Sequence, residues 1–351
     1  MATIKEIAAK LGLSPSTVSI VLAGQSETRK ISASTTQRVL AAAREMQYQP
    51  SIAARSLRSG GAAGSAEAPL MVAVFWADDF RASMMVRFLR GLRQGVAAGV
   101  RPIRLILYTY TNGQLAHESA LTSRTECHAA IVCNASPADQ EFLENTELPI
   151  PVVLYNRYSD KYATVNVDDE KMGLLAAQAL AGAGCASVGI LTSPPAYPGM
   201  ALRTESFARA AARLCLQLKT LPVCDNSLPG GFDAIISRTR AELPDGLFCG
   251  SDNIALGVFR ALWEKGIRVP QDMRVVAIGN SDRDSEEYAI PSLSAVYLPM
   301  EKMASECLLL LLDVVSGREK PPCSREIPVH YVPRESCCLP GDSVQPKQSG
   351  K

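Results

Sequence analysis

Residues 3–24 read TIKEIAAKLGLSPSTVSIVLAG, and their spacing decides the architecture of the amino-terminal part of the chain. Thr3 with Glu6 three residues on has the form of a capping box, in which each side chain satisfies a free backbone N–H at a helix start. Ile7, Ala8 and Leu11 follow at helical spacing, and Gly12 stops the helix. Ser14 and Pro15 open a second helix at once, a short N-capping oxygen and then a residue whose φ is already helical. Val18, Val21 and Leu22 make its buried stripe, which leaves Ile20 about 160° away, beside Ser16. Two short helices joined by a tight turn form a helix-turn-helix, whose second helix fits a DNA major groove. A third helix, entered from Ser32 or Ser34, carries Val39, Leu40, Ala43 and Met46 toward the other two, and Tyr48 and Pro50 close the unit.

Charge is distributed unevenly. The 351 residues sum to +1, yet residues 1–58 hold eight Lys/Arg against three Glu, leaving 28 basic against 32 acidic side chains for the remainder. A small basic module on a mildly acidic body points to a polyanionic partner for the amino terminus. The start MATIKEIAAK has no apolar leader core, and no run approaches the roughly 18 apolar residues of a membrane span. A cytoplasmic protein with reduced thiols is therefore expected, its ten cysteines falling in no metal-ligand pairs. His117, His128 and His330 lie far apart, in no catalytic or ligand spacing. Neither a metal nor a cofactor is expected, and an enzyme using these residues is disfavoured.

After residues 59–69, SGGAAGSAEAP, which have the composition of a flexible linker, the pattern changes. Apolar runs at Leu70–Phe75, Ile103–Tyr108, Ala129–Cys133, Pro151–Tyr155, Val188–Leu191, Gly246–Phe248 and Val275–Ile278 read as strands. Helical spacing separates them at 84–96, 169–182, 201–217, 253–265 and 301–316. This alternation predicts an α/β fold with parallel sheets covered on both faces, split into two doubly wound lobes. A ligand would lie between the lobes, beyond the carboxyl ends of the strands.

Residues 3–24 together with residues 31–60, ISASTTQRVLAAAREMQYQPSIAARSLRSG, resemble the amino-terminal domain of the lactose/galactose-repressor family of bacterial transcription regulators. The likeness continues, less densely, through LPDGLFCGSDNIALG (243–257), EKGIRVPQD (264–272), IPSLS (290–294) and VPRES (332–336). It implies a helix-turn-helix domain over 1–49, a hinge helix over 50–58, the linker 59–69 and a body over 70–336 like the periplasmic binding proteins. The chain would cross between lobes near 156–166 and 290–300, and 337–351 would be a disordered tail. The implied function is a transcription regulator, as a rule a repressor, whose affinity for a pseudo-palindromic duplex operator is set by a small effector such as a sugar or sugar derivative. It would act as a homodimer or tetramer, with no role for a membrane. A solute-binding protein without a DNA role is the alternative from another class, and an enzyme using the cleft is the third.

By position, the resemblance assigns Pro15, Ser16, Thr17, Ser19 and Ile20 to the major groove and Thr3, Ser14, Ser32 and Thr35 to phosphates. Ala54, Arg55, Leu57 and Arg58 fall in the hinge that enters the minor groove, Leu57 as the wedge at the central base step. Arg203, in Arg203-x-x-Ser206-Phe207, and Asp252 fall where members contact the effector. Asn156 stands where many carry aspartate, and Trp76 and Asp78 follow the first apolar run at the level of a ligand loop. The residues leave other readings open: Arg203 as a surface ion pair, Asp252 as a helix N-cap, Trp76 as packing. The chain also departs from the family at Ala23, in the longer segment 25–30, and at Ile278-Gly-Asn-Ser281.

Ile20 is the departure with the most direct chemical consequence, because most members have arginine there. Arginine forks onto the two acceptors of guanine, whereas isoleucine packs on a thymine methyl. A binding-site selection on the wild type is expected to return A·T at the contacted position, and Ile20→Arg to move it to G·C. An unchanged preference would remove Ile20 from the reading face.

Overall fold

The computed structural model describes residues 4–22, 26, 29–46, 48, 69–79, 84–98, 102–123, 126–280 and 283–338. Thr3, the hinge residues Ala54, Arg55, Leu57 and Arg58, and the tail from 339 lie outside the described residues.

The amino-terminal unit is three helices, α1 (Ile4–Leu11), α2 (Pro15–Leu22) and α3 (Ala33–Glu45). Gly12, at φ +65°, takes the left-handed conformation that ends α1. The Ser14 Oγ accepts the Thr17 N–H at 3.1 Å, and the Ser32 Oγ accepts the Thr35 N–H at 3.2 Å. These two side-chain caps set the starts of α2 and α3. Ile7, Ala8, Val18, Val21, Val39, Ala42 and Ala43 form the core, with Met46 and Tyr48 packed against it. Leu40, expected in that core, is 41% exposed. The inward stripe of α3 is 39, 42, 43 and 46, and Leu40 lies one step round the helix from it.

The body contains β1 (Leu70–Ala77), β2 (Ile103–Tyr110), β3 (Ala129–Cys133), β4 (Val152–Tyr155), β5 (Ala163–Val167), β6 (Ser187–Leu191), β7 (Gln217–Lys219), β8 (Gly246–Cys249), β9 (Arg274–Gly279), β10 (Ser294–Tyr297), β11 (Cys323–Ile327) and β12 (His330–Val332). Its longer helices are α4 (Met85–Ala98), α5 (Pro137–Asn145), α6 (Asp169–Gly182), α7 (Pro198–Arg213), α8 (Leu228–Ile236), α9 (Asp252–Glu264) and α10 (Met300–Val315). The strands form two six-stranded sheets, ordered 11-5-4-3-1-2 and 12-10-9-8-6-7. Every pair is parallel except β10 with β12. Strands β3, β4, β5 and β8 are buried along their whole length, as strands covered on both faces must be. The edge strands β2 and β7 are partly exposed. In each sheet the order reverses beside one strand, β1 in the first and β6 in the second, and a crevice opens there at the carboxyl ends.

Five strands, β5, β7, β10, β11 and β12, lie outside the seven apolar runs of the sequence. Polar or charged positions interrupt them: Thr164 and Asn166 in β5, Ser294 in β10, Arg325 and Glu326 in β11. Thr164 Oγ1 and Ser324 Oγ bond across the β5–β11 pair at 3.0 Å, so the buried Thr164 hydroxyl is satisfied by the exposed edge strand. The chain leaves the first sheet only after Val167, later than the expected 156–166, because β5 still pairs with β4. It returns through 298–299 and crosses a third time between β11 and β12. Cys337, expected in the tail, is buried in the body core. Among the described residues no helix is long and apolar enough to cross a membrane.

One polar cluster joins the lobes where the chain returns. Arg87 of α4 forks onto Glu301 of α10, Nε to Oε1 at 2.9 Å and Nη2 to Oε2 at 2.8 Å. Nη2 also donates to the Leu298 carbonyl at 3.0 Å and to the Tyr297 hydroxyl. Burial opposes ionisation of Glu301, but its bonds to Arg87 outweigh burial and hold the carboxyl down at about 2. The helices approach so closely that a Cβ on Gly91 would sit 2.2 Å from the Glu301 carbonyl oxygen. Arg87→Met strands a largely buried carboxylate and is expected to lower the unfolding free energy by about 3 kcal/mol. Urea denaturation at pH 7 measures this, and an unchanged midpoint would refute it.

Candidate functional site

The two crevices face a common cleft with a volume of about 40 Å³. Nearly half of its wall is made from residues that directly follow strands. Asn134 follows β3, Asn156 and Arg157 follow β4, Gly250 follows β8, Asn280 follows β9 and Leu298 follows β10. Asn134 and Asn156 have φ of +61° and +54°, a backbone that asparagine tolerates better than most residues, and this turns the chain at the strand end.

Arg203, on α7, is buried at 5% exposure and lines the cleft. Its Nε bonds Asp169 Oδ1 at 2.7 Å, and its Nη2 donates to the Tyr197 hydroxyl at 2.8 Å. Burial opposes the charge, but Tyr197 and Asp169 outweigh it, and the guanidinium pKa rises above its ordinary value. Asn156 Nδ2 donates to the same Tyr197 hydroxyl at 3.0 Å, from the other lobe. Arg157 is 2% exposed, donates to the carbonyls of Ala135 and Asn156 at 2.7 and 2.6 Å, and lies 4.2 Å from the centre of the Tyr197 ring. A tyrosine on a loop between β6 and α7 is thus the meeting point of two arginines and an asparagine.

Of the five residues expected at the effector, Arg203 and Asn156 line the cleft. The other three do not. Strand β1 runs two residues past the expected Phe75, so Trp76 alternates inward with Val72 and Val74 and packs on Phe88 at 5.1 Å, fully buried. Asp78 is exposed at the end of β1, its N–H bonded to the Tyr110 carbonyl. Asp252 is fully buried beneath the cleft. It accepts the backbone N–H of Asn253 at 2.8 Å and of Asn280 at 3.2 Å, and so steadies a residue of the wall. Nor is it the N-cap of α9, because Ser251 Oγ accepts the Ile254 N–H at 3.2 Å. Arg157, Tyr197 and Asn280 were missed by sequence reasoning. Two signals were available: Asn156-Arg157 is the first polar pair after an apolar run, and Asn280 sits in the segment that departs from the family.

On the helix-turn-helix, Ser14, Pro15, Ser16 and Ser32 are exposed, and Thr17, Ser19, Ile20 and Thr35 are partly so. The face of α2 away from Val18 and Val21 therefore presents Ser16 and the side of Ile20.

Behind Asp252 lies a second buried carboxyl, Glu286, which accepts Arg334 Nη1 at 3.0 Å. Burial, and then the charge of Asp252, push its carboxyl up to about 7. An acid whose pKa is raised by folding costs stability once the unfolded chain ionises while the folded one keeps its proton. The melting temperature is therefore expected to fall as pH rises from about 4.5 to 7 and to level off above, with Glu286→Gln flattening that slope. Calorimetry across pH 5–8 tests this; an unchanged slope in the variant would sink it.

Residues 3–51 match the profile of the bacterial regulatory proteins of the lacI family, and residues 161–337 match that of the periplasmic binding protein-like domain. The chain is 27% identical over 349 residues to the HTH-type transcriptional repressor PurR of Yersinia pestis, covering 96% of this chain and 97% of that one. A LacI family transcription regulator from Clostridium acetobutylicum superposes with a TM-score of 0.71 at 30% identity, over 76% of this chain and 99% of its own. The lac repressor dimer bound to operator and an anti-inducer superposes with a TM-score of 0.68 at 19% identity, over 96% and 99%, a likeness of fold.

Proposed function

The chain belongs to the lacI family of bacterial regulatory proteins, and on that premise we propose that it represses transcription from a pseudo-palindromic operator under the control of a small molecule held between its lobes. The observation that carries this reading is the presence, in one chain, of a helix-turn-helix with an outward-facing second helix and an inter-lobe cleft lined by strand ends. Pro15, Ser16, Thr17, Ser19 and Ile20 meet base edges, while Thr3, Ser14, Ser32 and Thr35 meet phosphates. The hinge of 50–58 enters the minor groove with Leu57 as its wedge. Two copies act together in the cytoplasm, one on each half-site.

In the cleft, Arg203 and Asn156 contact the effector, joined by Arg157 and Asn280, and Asp252 holds Asn280 in position. Closing the lobes on a ligand changes the spacing of the paired hinges, so ligand and operator affinities are coupled reciprocally. A solute-binding role without DNA would leave the basic amino-terminal unit unused, and the relatives described above are regulators, not enzymes.

A mobility-shift assay on duplex from upstream of the coding region is expected to show binding that weakens steeply with salt, as phosphate contacts require. Arg203→Ala combined with Asp169→Asn, so that no buried carboxylate is stranded, is expected to abolish release by any effector while retaining operator binding. Equal release in variant and wild type would remove Arg203 from the effector site, and salt-independent or absent binding would remove the regulator reading.

A further inference from the structure

We propose that the cleft takes a small organic anion, whose carboxylate or phosphate oxygens displace the Tyr197 phenol from Arg203 and Asn156. The proposal rests on the cleft being the effector site and specifies what that effector must carry. The described lining residues include two guanidiniums, Arg157 and Arg203, and no carboxylate. Two acids that bond wall residues are turned away from the cleft. Asp252 is spent on the backbone of Asn253 and Asn280, and Asp169 lies behind Arg203 on its Nε. The remaining polar wall is neutral amide, from Asn134, Asn156, Asn226 and Asn280.

Tyr197 occupies the place of the missing acceptor. Its hydroxyl receives Arg203 Nη2 at 2.8 Å and Asn156 Nδ2 at 3.0 Å, one donor from each lobe. A phenol oxygen is a neutral acceptor; an ionised oxygen in the same place adds ion pairing with the Arg203 guanidinium and makes the Asn156 bond charge-assisted, about twice as strong as a neutral one. The exchange therefore favours an anion and gives a neutral polyol no such advantage. The ring of Tyr197, under Arg157 at 4.2 Å, leaves with the hydroxyl and opens the cleft it now lines.

Two further groups mark where the body of the ligand reaches. Tyr155 Oη and Asn280 Oδ1 are buried, at 3% and 8% residue exposure, and have no hydrogen-bond partner among the described residues. They belong to opposite lobes, one ending β4 and one following β9. Buried polar atoms left without bonds are costly. Asn280 Oδ1 needs a donor, so the anion also carries a hydroxyl or amine.

Calorimetric titration of the full-length wild type with glucuronate, glucose 6-phosphate and glucose tests the charge requirement, with inorganic phosphate as the minimal anion. At least one anion is expected to bind about tenfold tighter than glucose. Tyr197→Phe, which removes the competing oxygen, should tighten that anion several-fold, and Arg203→Gln should abolish its binding. Glucose binding as tightly as the anions, no binding by any of the three anions, or weaker anion binding in Tyr197→Phe would each overturn the proposal. Operator release by the small-molecule fraction of the expressing cells, before and after anion-exchange resin, separates the two levels of failure. Releasing activity retained on the resin supports the anion. Activity in the flow-through overturns the anion but leaves the effector reading standing, and activity in neither overturns the effector reading itself.

Discussion

A guanidinium taken out of water must meet a carboxylate already in place, and the second lobe is arranged around the point where Arg203 meets Asp169. Both side chains are nearly sealed, at 6% and 2% exposure, and the bond is 2.7 Å. Asp169 begins α6, where the helix amide ends favour a negative charge, and Arg203 comes from α7 packed alongside. A Cβ on Gly199 would sit 2.1 Å from Asp169 Oδ2, so the first turn of α7 has to be bare for the pair to close. With Nε committed to the pair, Nη2 is the part of Arg203 that reaches Tyr197, and Tyr197 in turn reaches the other lobe through Asn156. The lobe contact is thus downstream of a single buried charge pair.

The joint between lobes and the wall of the cleft are the same piece of chain. Leu298 and Met300 line the cleft, while Tyr297 and Glu301, immediately beside them, bond Arg87 of the first lobe. A molecule seated in the cleft touches residues adjacent to the fulcrum.

Much of this was legible in the sequence, for identifiable reasons. Strands buried on both faces are almost purely apolar, so β3, β4 and β8 stood out, and the cap at Ser14 was readable from residue type, while that of α3 stayed open between Ser32 and Ser34. The less apolar strands were hidden because polar and charged residues break their apolar runs, Thr164 being satisfied by Ser324 and Arg325 by Glu306 and Asp313 of α10. Trp76 was misplaced because a strand's end is less visible in sequence than its centre, and two more residues of β1 turned it from rim to core. Asp252 fell at the expected strand end, yet sequence could not show that backbone amides would claim both its oxygens. Tyr197 escaped because its partners, Asn156, Arg157 and Arg203, come from two lobes and meet only after folding.

The loop that carries Tyr197 reads SPPAYPG over residues 193–199, and three of its seven residues are proline. Each proline fixes one backbone angle, so the segment has few shapes available whether the tyrosine is in the cleft or out of it. Such a loop resembles a latch more than a tether: it holds one of a small number of positions and passes between them with little intermediate ground. On the proposed exchange of the phenol for an anion, that stiffness makes each molecule's response a choice between a few positions, and leaves gradation to the number of molecules that have made it.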